Sequence, residues 1–226
     1  MSSQSVYEAA HKGDFEYVRS KVEEDPKLLL TTDSNARMLI HWAVLSGNLK
    51  LVTYLIELGS PVNSLDDTDT TPLILASSAG HSEIVKLILE KGDNVNHKSI
   101  NGHSSLQYAA SKGWTEICRL LLENDADINI TDTRGSTPLH RAASKGNIEI
   151  VRIFLNYIDK LRINQKDVYG NTPLHLACEE DRQEVAVLLV ENRADVETKN
   201  RDNQTPLDLC SPKLAKLIKN KLENIK

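Results

Sequence analysis

Apolar residues recur along this chain in adjacent pairs four residues apart: Ile84, Val85, Ile88 and Leu89; Ile117, Cys118, Leu121 and Leu122; Ile150, Val151, Phe154 and Leu155. That i, i+1, i+4, i+5 spacing places the side chains on one stripe of a helix. Ahead of each stripe lies a shorter helical segment, such as Leu139-His140-Arg141-Ala142-Ala143-Ser144-Lys145, headed by Thr137-Pro138 and closed by Gly146. Threonine caps a helix whose first position is proline, where a missing N–H costs nothing. A glycine after the last turn supplies left-handed backbone. Behind each helix pair comes a turn and an extended piece, as in Gly59-Ser60-Pro61-Val62-Asn63, Gly92-Asp93-Asn94-Val95-Asn96 and Asp125-Ala126-Asp127-Ile128-Asn129. It runs to a reversal such as Asp132-Thr133-Arg134-Gly135, built from turn-forming residues. The paired alanines Ala109-Ala110 and Ala142-Ala143 let neighbouring short helices approach closely. No such unit can bury its own apolar face, so the pattern predicts a stack.

The units are copies. Thr137-Pro138-Leu139-His140 returns as Thr172-Pro173-Leu174-His175 and Thr205-Pro206-Leu207-Asp208, with weaker versions at Thr71-Pro72-Leu73-Ile74 and Ser104-Ser105-Leu106-Gln107. Gly13, Gly47, Gly80, Gly113 and Gly146 mark one phase at intervals of 34, 33, 33 and 33 residues. A period of about 33 with T-P-L-H-x-A resembles the ankyrin-repeat family. The resemblance implies an all-α ankyrin-repeat solenoid of seven helix-turn-helix units with β-hairpin-like finger loops. One domain over 1–226 holds units starting near Ser5, Arg37, Thr70, His103, Ser136, Asn171 and Gln204, the first and last being degenerate caps. Pro212 opens a last helix rich in lysine (Lys213, Lys216, Lys219, Lys221). Asp181 stands where the sixth unit should carry glycine, and two extra residues within Asp159–Arg162 predict a looser loop.

Composition narrows the function classes. Aromatics are only 4% of residues, which suits thin aliphatic layers rather than one large aromatic core. A net charge of -5 argues against a non-specific nucleic-acid binder. The start, Met1-Ser2-Ser3-Gln4-Ser5, carries neither the basic nor the apolar region of a secretory leader. No run approaches the ~18 apolar residues of a membrane span. Cys118, Cys178 and Cys210 lack metal-ligand or C-x-x-C spacing and read as reduced thiols filling small core positions, in a cytoplasmic or nuclear protein. Phosphate-binding glycine loops, zinc-protease and nucleophile-elbow motifs are all missing, so no enzyme, cofactor or metal is expected. His41, His140 and His175 share one repeat phase, which points to hydrogen bonds between neighbouring repeats rather than to a metal.

Binding is expected on a repeat surface. The residue after each histidine position faces a concave groove: Glu8, Trp42, Leu75, Tyr108, Arg141 and Leu176. Trp42, Leu75 and Tyr108 form a candidate anchor stripe, since aromatic anchors dominate interface energy. The finger tips add Arg37, the acidic Asp66, Asp67 and Asp69, and Arg134. Lys112, Arg134, Arg141 and Lys145 make a basic patch that would orient a partner of opposite pattern.

Ile40-His41-Trp42-Ala43, Leu58 through Asn63, Tyr108-Ala109-Ala110-Ser111-Lys112, His140 through Asn147 and Gly170 through Cys178 reach beyond the shared repeat consensus. Over its whole length the chain resembles the gankyrin family, seven-repeat non-ATPase regulatory subunits of the 26S proteasome. It departs from that family at Thr70, where the family carries tryptophan, in the lost Thr-Pro of the fourth unit, and near Lys160. The resemblance implies a monomeric assembly chaperone for the proteasome regulatory particle. Such a chaperone holds the C-terminal domain of one proteasomal ATPase subunit in its concave face, with Arg37 and Lys112 at basic contact positions. It further implies a cyclin-dependent kinase, the retinoblastoma protein and a p53 ubiquitin ligase as partners, the alternative being an ankyrin-type cell-cycle regulator. The retinoblastoma link rests on an L-x-C-x-E motif, matched here by Leu176, Cys178 and Glu180. On a helix, however, Leu176 and Cys178 point in different directions, whereas that motif docks extended.

Overall fold

The structure, a computed structural model, describes residues 5–225. Met1–Gln4, on which the expectation about a secretory leader rests, and Lys226 lie outside the described residues. The chain divides into two compact units, residues 5–105 with 123–125 and residues 106–122 with 126–225.

In the first unit, α1 (Val6–His11), α3 (Leu39–Ser46) and α5 (Pro72–Ala79) are the short first helices, and α2 (Phe15–Glu24), α4 (Leu49–Glu57) and α6 (Ser82–Glu90) the second helices. A 3-10 turn at Pro26–Leu29 follows α2. Helix α1 packs on α3, α3 on α5, and α4 on α6. The second unit takes nearly all of α7 (Ser105–Lys112) and α8 (Thr115–Glu123), followed by α9 (Pro138–Lys145) and α10 (Ile148–Leu155). It continues through α11 (Pro173–Glu179), α12 (Gln183–Glu191), α13 (Pro206–Leu209) and α14 (Pro212–Ile225). There α9 packs on α11 and α11 on α13, while α10 packs on α12 and α12 on α14.

The short helices form for the reason the sequence offered. Thr71, Thr137, Thr172 and Thr205 each accept the N–H three residues on, and proline holds the first position. Gly47, Gly80 and Gly146 end their helices in left-handed backbone. Asp181 takes that conformation without being glycine, at φ 49°, and its carboxylate accepts from Ser211 Oγ at 2.8 Å and Gln183 Nε2 at 3.1 Å. Ala9, Ala10, Ala43 and Ala76 in one unit, and Ala109, Ala110, Ala142, Ala143 and Ala177 in the other, are fully buried. Each lets a neighbouring helix come close.

The phase-locked histidines join repeats. In His140 the ring Nδ1 accepts from Thr137 N–H at 3.1 Å, which leaves the proton on Nε2 for the Asn171 carbonyl at 3.1 Å. His175 repeats this with Thr172 N–H and the Gln204 carbonyl, both at 3.1 Å. In the first unit His41 takes the Met38 N–H at 3.0 Å and reaches the Ser64 carbonyl at 3.2 Å. Burial, the dominant influence, pushes all three imidazoles below the ordinary histidine pKa and keeps them neutral for these roles. A second set of ties comes from the residue after the left-handed position, Gly47, Gly146 or Asp181. Asn48 donates to the Gly13 carbonyl at 2.8 Å, Asn147 to the Ala110 carbonyl at 2.7 Å, and Arg182 to the Ser144 carbonyl at 3.0 Å.

Two expectations change. The insertion before Leu161 is pinned rather than loose: Asn129 donates to the Lys160 carbonyl and accepts from Arg162 N–H, both at 2.8 Å, and Leu161 is buried. Cys118 and Cys178 are core thiols as read, but Cys210 is only half-buried at the end of α13.

Candidate protein-binding face

Several fingers begin with an aspartate whose carboxylate organises the reversal. One oxygen of Asp33 accepts from Asn35 N–H at 2.8 Å and Arg37 N–H at 3.0 Å. Asp66 does the same with Thr68 and Thr70, Asp132 with Arg134 and Ser136, and Asp167 with Tyr169 and Asn171. The reversal closes with two backbone bonds, for example Asp66 N–H to the Thr70 carbonyl at 3.1 Å and Asp69 N–H to the Asp66 carbonyl at 3.0 Å. Successive tips within each unit also share backbone bonds: Asp67 to Asn35 and Ile100 to Thr68 in the first, Val168 to Arg134 and Arg201 to Tyr169 in the second. No strand forms among the described residues, so the fingers are hairpin-like in bonding alone.

The second carboxylate oxygen reaches the row of candidate binding residues. In the first unit, Asp33 Oδ2 accepts from the Trp42 indole N–H at 2.9 Å. The Arg37 guanidinium lies over the Trp42 ring, 5.0 Å from its centroid, and the His11 ring meets it edge-on at 5.1 Å. Arg37 in turn donates through Nε and Nη2 to Asp66 Oδ2, each at 3.0 Å. Burial works against both charged carboxylates. It is outweighed by the backbone bonds of Arg37 and Asn35 on Asp33, and by the hydroxyl and backbone bonds of Thr68 and Thr70 on Asp66, so both stay below the usual carboxylate range. Trp42 is therefore held in one orientation, and beside it Ser5, Tyr7, Glu8 and His11 line an open depression of about 230 Å³.

In the second unit Arg141 is tied to Asp132, whose side chain is 1% exposed. Tyr108 is half-buried on α7, while Lys112, Arg134 and Lys145 are exposed. The helix α11 carries Leu176 half-buried and Cys178 buried, with Glu180 exposed at its end, so the L-x-C-x-E segment is helical with its cysteine in the core.

These placements correct three of the sequence-based assignments. Leu75, read as a groove anchor, is 8% exposed and belongs to the core of its unit. Asp66, read as an acidic tip, has a fully buried side chain whose charge is taken by Arg37 and the finger backbone; Asp67 and Asp69 stay exposed. Arg141 gives its charge to Asp132, which reduces the basic patch to Lys112, Arg134 and Lys145. Sequence reasoning also passed over Asp33 and Asp132 as the groups that fix Trp42 and Arg141. Their signal was available, because each stands nine residues before the side chain it holds, Trp42 and Arg141. In the Asp66 repeat that partner position is Leu75, which has no donor, and Arg37 from the preceding repeat takes the place.

The family described as "Ankyrin repeats (3 copies)" matches residues 6–99, 40–132 and 106–200. The human 26S proteasome non-ATPase regulatory subunit 10 is 41% identical over 72 residues, covering 32% of this chain and 32% of that protein. The chain thus aligns with about a third of the length of this relative. The Arabidopsis thaliana serine/threonine-protein kinase VIK is 40% identical over 70 residues, 31% of this chain and 16% of the kinase. Among solved structures, the human ASB11 ankyrin repeat domain superposes with a TM-score of 0.87 at 24% identity, over 96% of each chain. That likeness shows the fold alone; the protein-interaction role of ankyrin repeats rests on the family match. With the family match running from residue 6 to residue 200, the chain belongs to the ankyrin-repeat family.

Proposed function

We propose that this chain is an assembly chaperone for the 26S proteasome regulatory particle, holding the C-terminal domain of one proteasomal ATPase subunit. The observation that carries the reading is the Trp42 platform. An aromatic anchor is already oriented by Asp33, Arg37 and His11 and borders an open depression. A side chain ordered in advance loses little entropy on binding, and Trp, Tyr and Arg are the residues that dominate interface energies. Exposed Lys112, Arg134 and Lys145 in one unit and Asp67 and Asp69 in the other give a partner two surfaces of opposite sign to match. The local similarity to the human regulatory subunit favours a proteasomal partner. Arg37, implied by the resemblance as a contact, serves in this reading to set Trp42 and Asp66. The chain would work as a monomer in the cytoplasm and nucleus. Partnership with the retinoblastoma protein draws no support from Cys178, which is buried in α11.

Calorimetric titration of the full chain against the isolated C-terminal domains of the six proteasomal ATPases tests this. One-to-one binding to a single domain is expected, weakened ~30-fold by Trp42→Ala, as for a hot spot of ~2 kcal/mol. Equal binding to all six, or to none, would overturn the proposal.

A further inference from the structure

Proline follows a serine or threonine at six places: Ser60-Pro61, Thr71-Pro72, Thr137-Pro138, Thr172-Pro173, Thr205-Pro206 and Ser211-Pro212. A hydroxyl ahead of proline is the step that proline-directed protein kinases read, since proline lacks the N–H that any other residue brings. Burial sorts the six. Ser60, Thr71, Thr137 and Thr172 are at most 4% exposed. Thr205 is half-buried, but its Pro206 is buried, and its hydroxyl and N–H both donate to Asp208 Oδ2 at 2.8 Å. Ser211 differs. It stands half-buried between the one-turn α13 and α14, with Cys210 extended before it, Pro212 exposed, and no buried residue from Leu207 to Lys213.

The Ser211 hydroxyl also holds two elements together. Its oxygen accepts the Leu214 N–H at 3.2 Å, which caps α14, and its proton goes to Asp181 Oδ1 at 2.8 Å. That second bond is the main reason the Asp181 carboxyl stays below the usual carboxylate range. Asp181 occupies the left-handed turn of the sixth repeat at φ 49°, a conformation that a non-glycine residue holds at a cost. One hydroxyl proton thus ties the C-terminal cap to that turn.

We infer that Ser211 is a phosphorylation site for a proline-directed protein kinase, and that its modification loosens the C-terminal cap from the sixth repeat. The γ-phosphoryl group of a nucleoside triphosphate passes to Ser211 Oγ. The Oγ–P bond forms, the bond from the γ-phosphorus to the bridging oxygen breaks, the nucleoside diphosphate leaves, and the hydroxyl proton goes to the base of the kinase. The product has no proton to offer Asp181 and sets a charge of about −2 beside its carboxylate. The remaining surroundings suit an anion, because the phosphate stands at the N-terminus of α14 with Lys213 two residues on. The tie to Asp181 therefore breaks while α14 survives. Leu214 and Ile218, both fully buried, keep that helix packed, so the cap loosens without detaching.

The test incubates the full chain with magnesium ATP and a purified mitogen-activated protein kinase, a proline-directed enzyme. Peptide mapping, thermal melting and amide hydrogen exchange follow. One phosphate on Ser211 is expected, with none on the other five serine- or threonine-proline steps and none in Ser211→Ala. The modified chain should melt roughly 3 °C lower and exchange faster over α13 and the first turn of α14. Phosphatase treatment should restore both. Asp181→Gly separates repulsion from a general effect of the phosphate. Glycine suits the left-handed turn, as at Gly47 and Gly146, and the carboxylate is gone, so phosphorylation there should not lower the melting temperature. No phosphate on Ser211, or phosphate on another of the six steps, would overturn the inference. So would an unchanged melting temperature in the modified wild type, or an equal fall in Asp181→Gly.

Discussion

Asp93 occupies a position where a carboxylate should not sit. The turn after each second helix places Ser60, Leu161 and Ala194 at the same phase, all buried, and Ala126 half-buried. In Asp93 one oxygen takes its neighbour's Asn94 N–H at 2.7 Å, while Oδ2 is buried with no hydrogen-bond partner among the described residues. Leaving a buried polar atom unsatisfied costs about 1–3 kcal/mol. The residue as a whole is only partly buried, which places the cost near the lower end, about 1 kcal/mol. Asp93→Ala should therefore stabilise the chain by about 1 kcal/mol at neutral pH, or about 2–4 °C in melting temperature for a chain of this size. The pH dependence separates this cause from a change in turn propensity. Burial raises the Asp93 carboxyl above its ordinary value, opposed by the Asn94 N–H and His97. Between the ordinary carboxylate value near 3.9 and the raised folded value, the folded chain keeps a proton that the unfolded chain has lost. Stability contributed by this site thus falls as pH rises through that window. The penalty is complete above the folded value and vanishes below about pH 4. Urea unfolding followed by circular dichroism at pH 7.5 and pH 4.5, wild type against Asp93→Ala, measures it. The variant's advantage should be present at pH 7.5 and shrink at pH 4.5. A destabilised variant, or an equal advantage at both, would refute the reasoning.

Breaking the Arg37–Asp66 pair leaves a buried carboxylate with only its finger bonds, so Arg37→Ala should cost about 1–2 kcal/mol. Its double-mutant cycle with Asp66→Ala should show a coupling near 1 kcal/mol by urea denaturation, and strict additivity would contradict the pairing. His41, His140 and His175 have folded pKa values lowered chiefly by burial, so the unfolded chain takes up their protons first. Their stabilising effect is complete above about pH 7 and is lost as pH falls through ~6.5 toward the lowered values. A melting temperature that does not fall between pH 7.5 and 5.5, measured in the Asp93→Ala background to remove the opposing titration, would contradict this.

The sequence by itself determined what depends on local bonding and on repetition. Thr137-Pro138 and Gly146 fix a helix by capping and backbone preference alone, and a 33-residue period repeats that result until stacking becomes the one way to bury Ile150, Val151 and Phe154. The inter-repeat role of His140 was legible for the same reason, since its phase returns in His175. Tertiary structure decided how charges are spent. Asp66, Asp67 and Asp69 look alike in sequence, yet only Asp66 turns inward, because its oxygens meet the finger N–H groups and Arg37 from the repeat before. Arg141 and Lys145 are four residues apart on one helix, but Asp132 neutralises only the first. Leu75 became core because no donor at its position calls for a carboxylate and its apolar surface is worth more buried. Repetition encodes the scaffold because every copy solves one packing problem. A side chain's availability depends on which single neighbour the fold sets against it, and no repeat pattern carries that information.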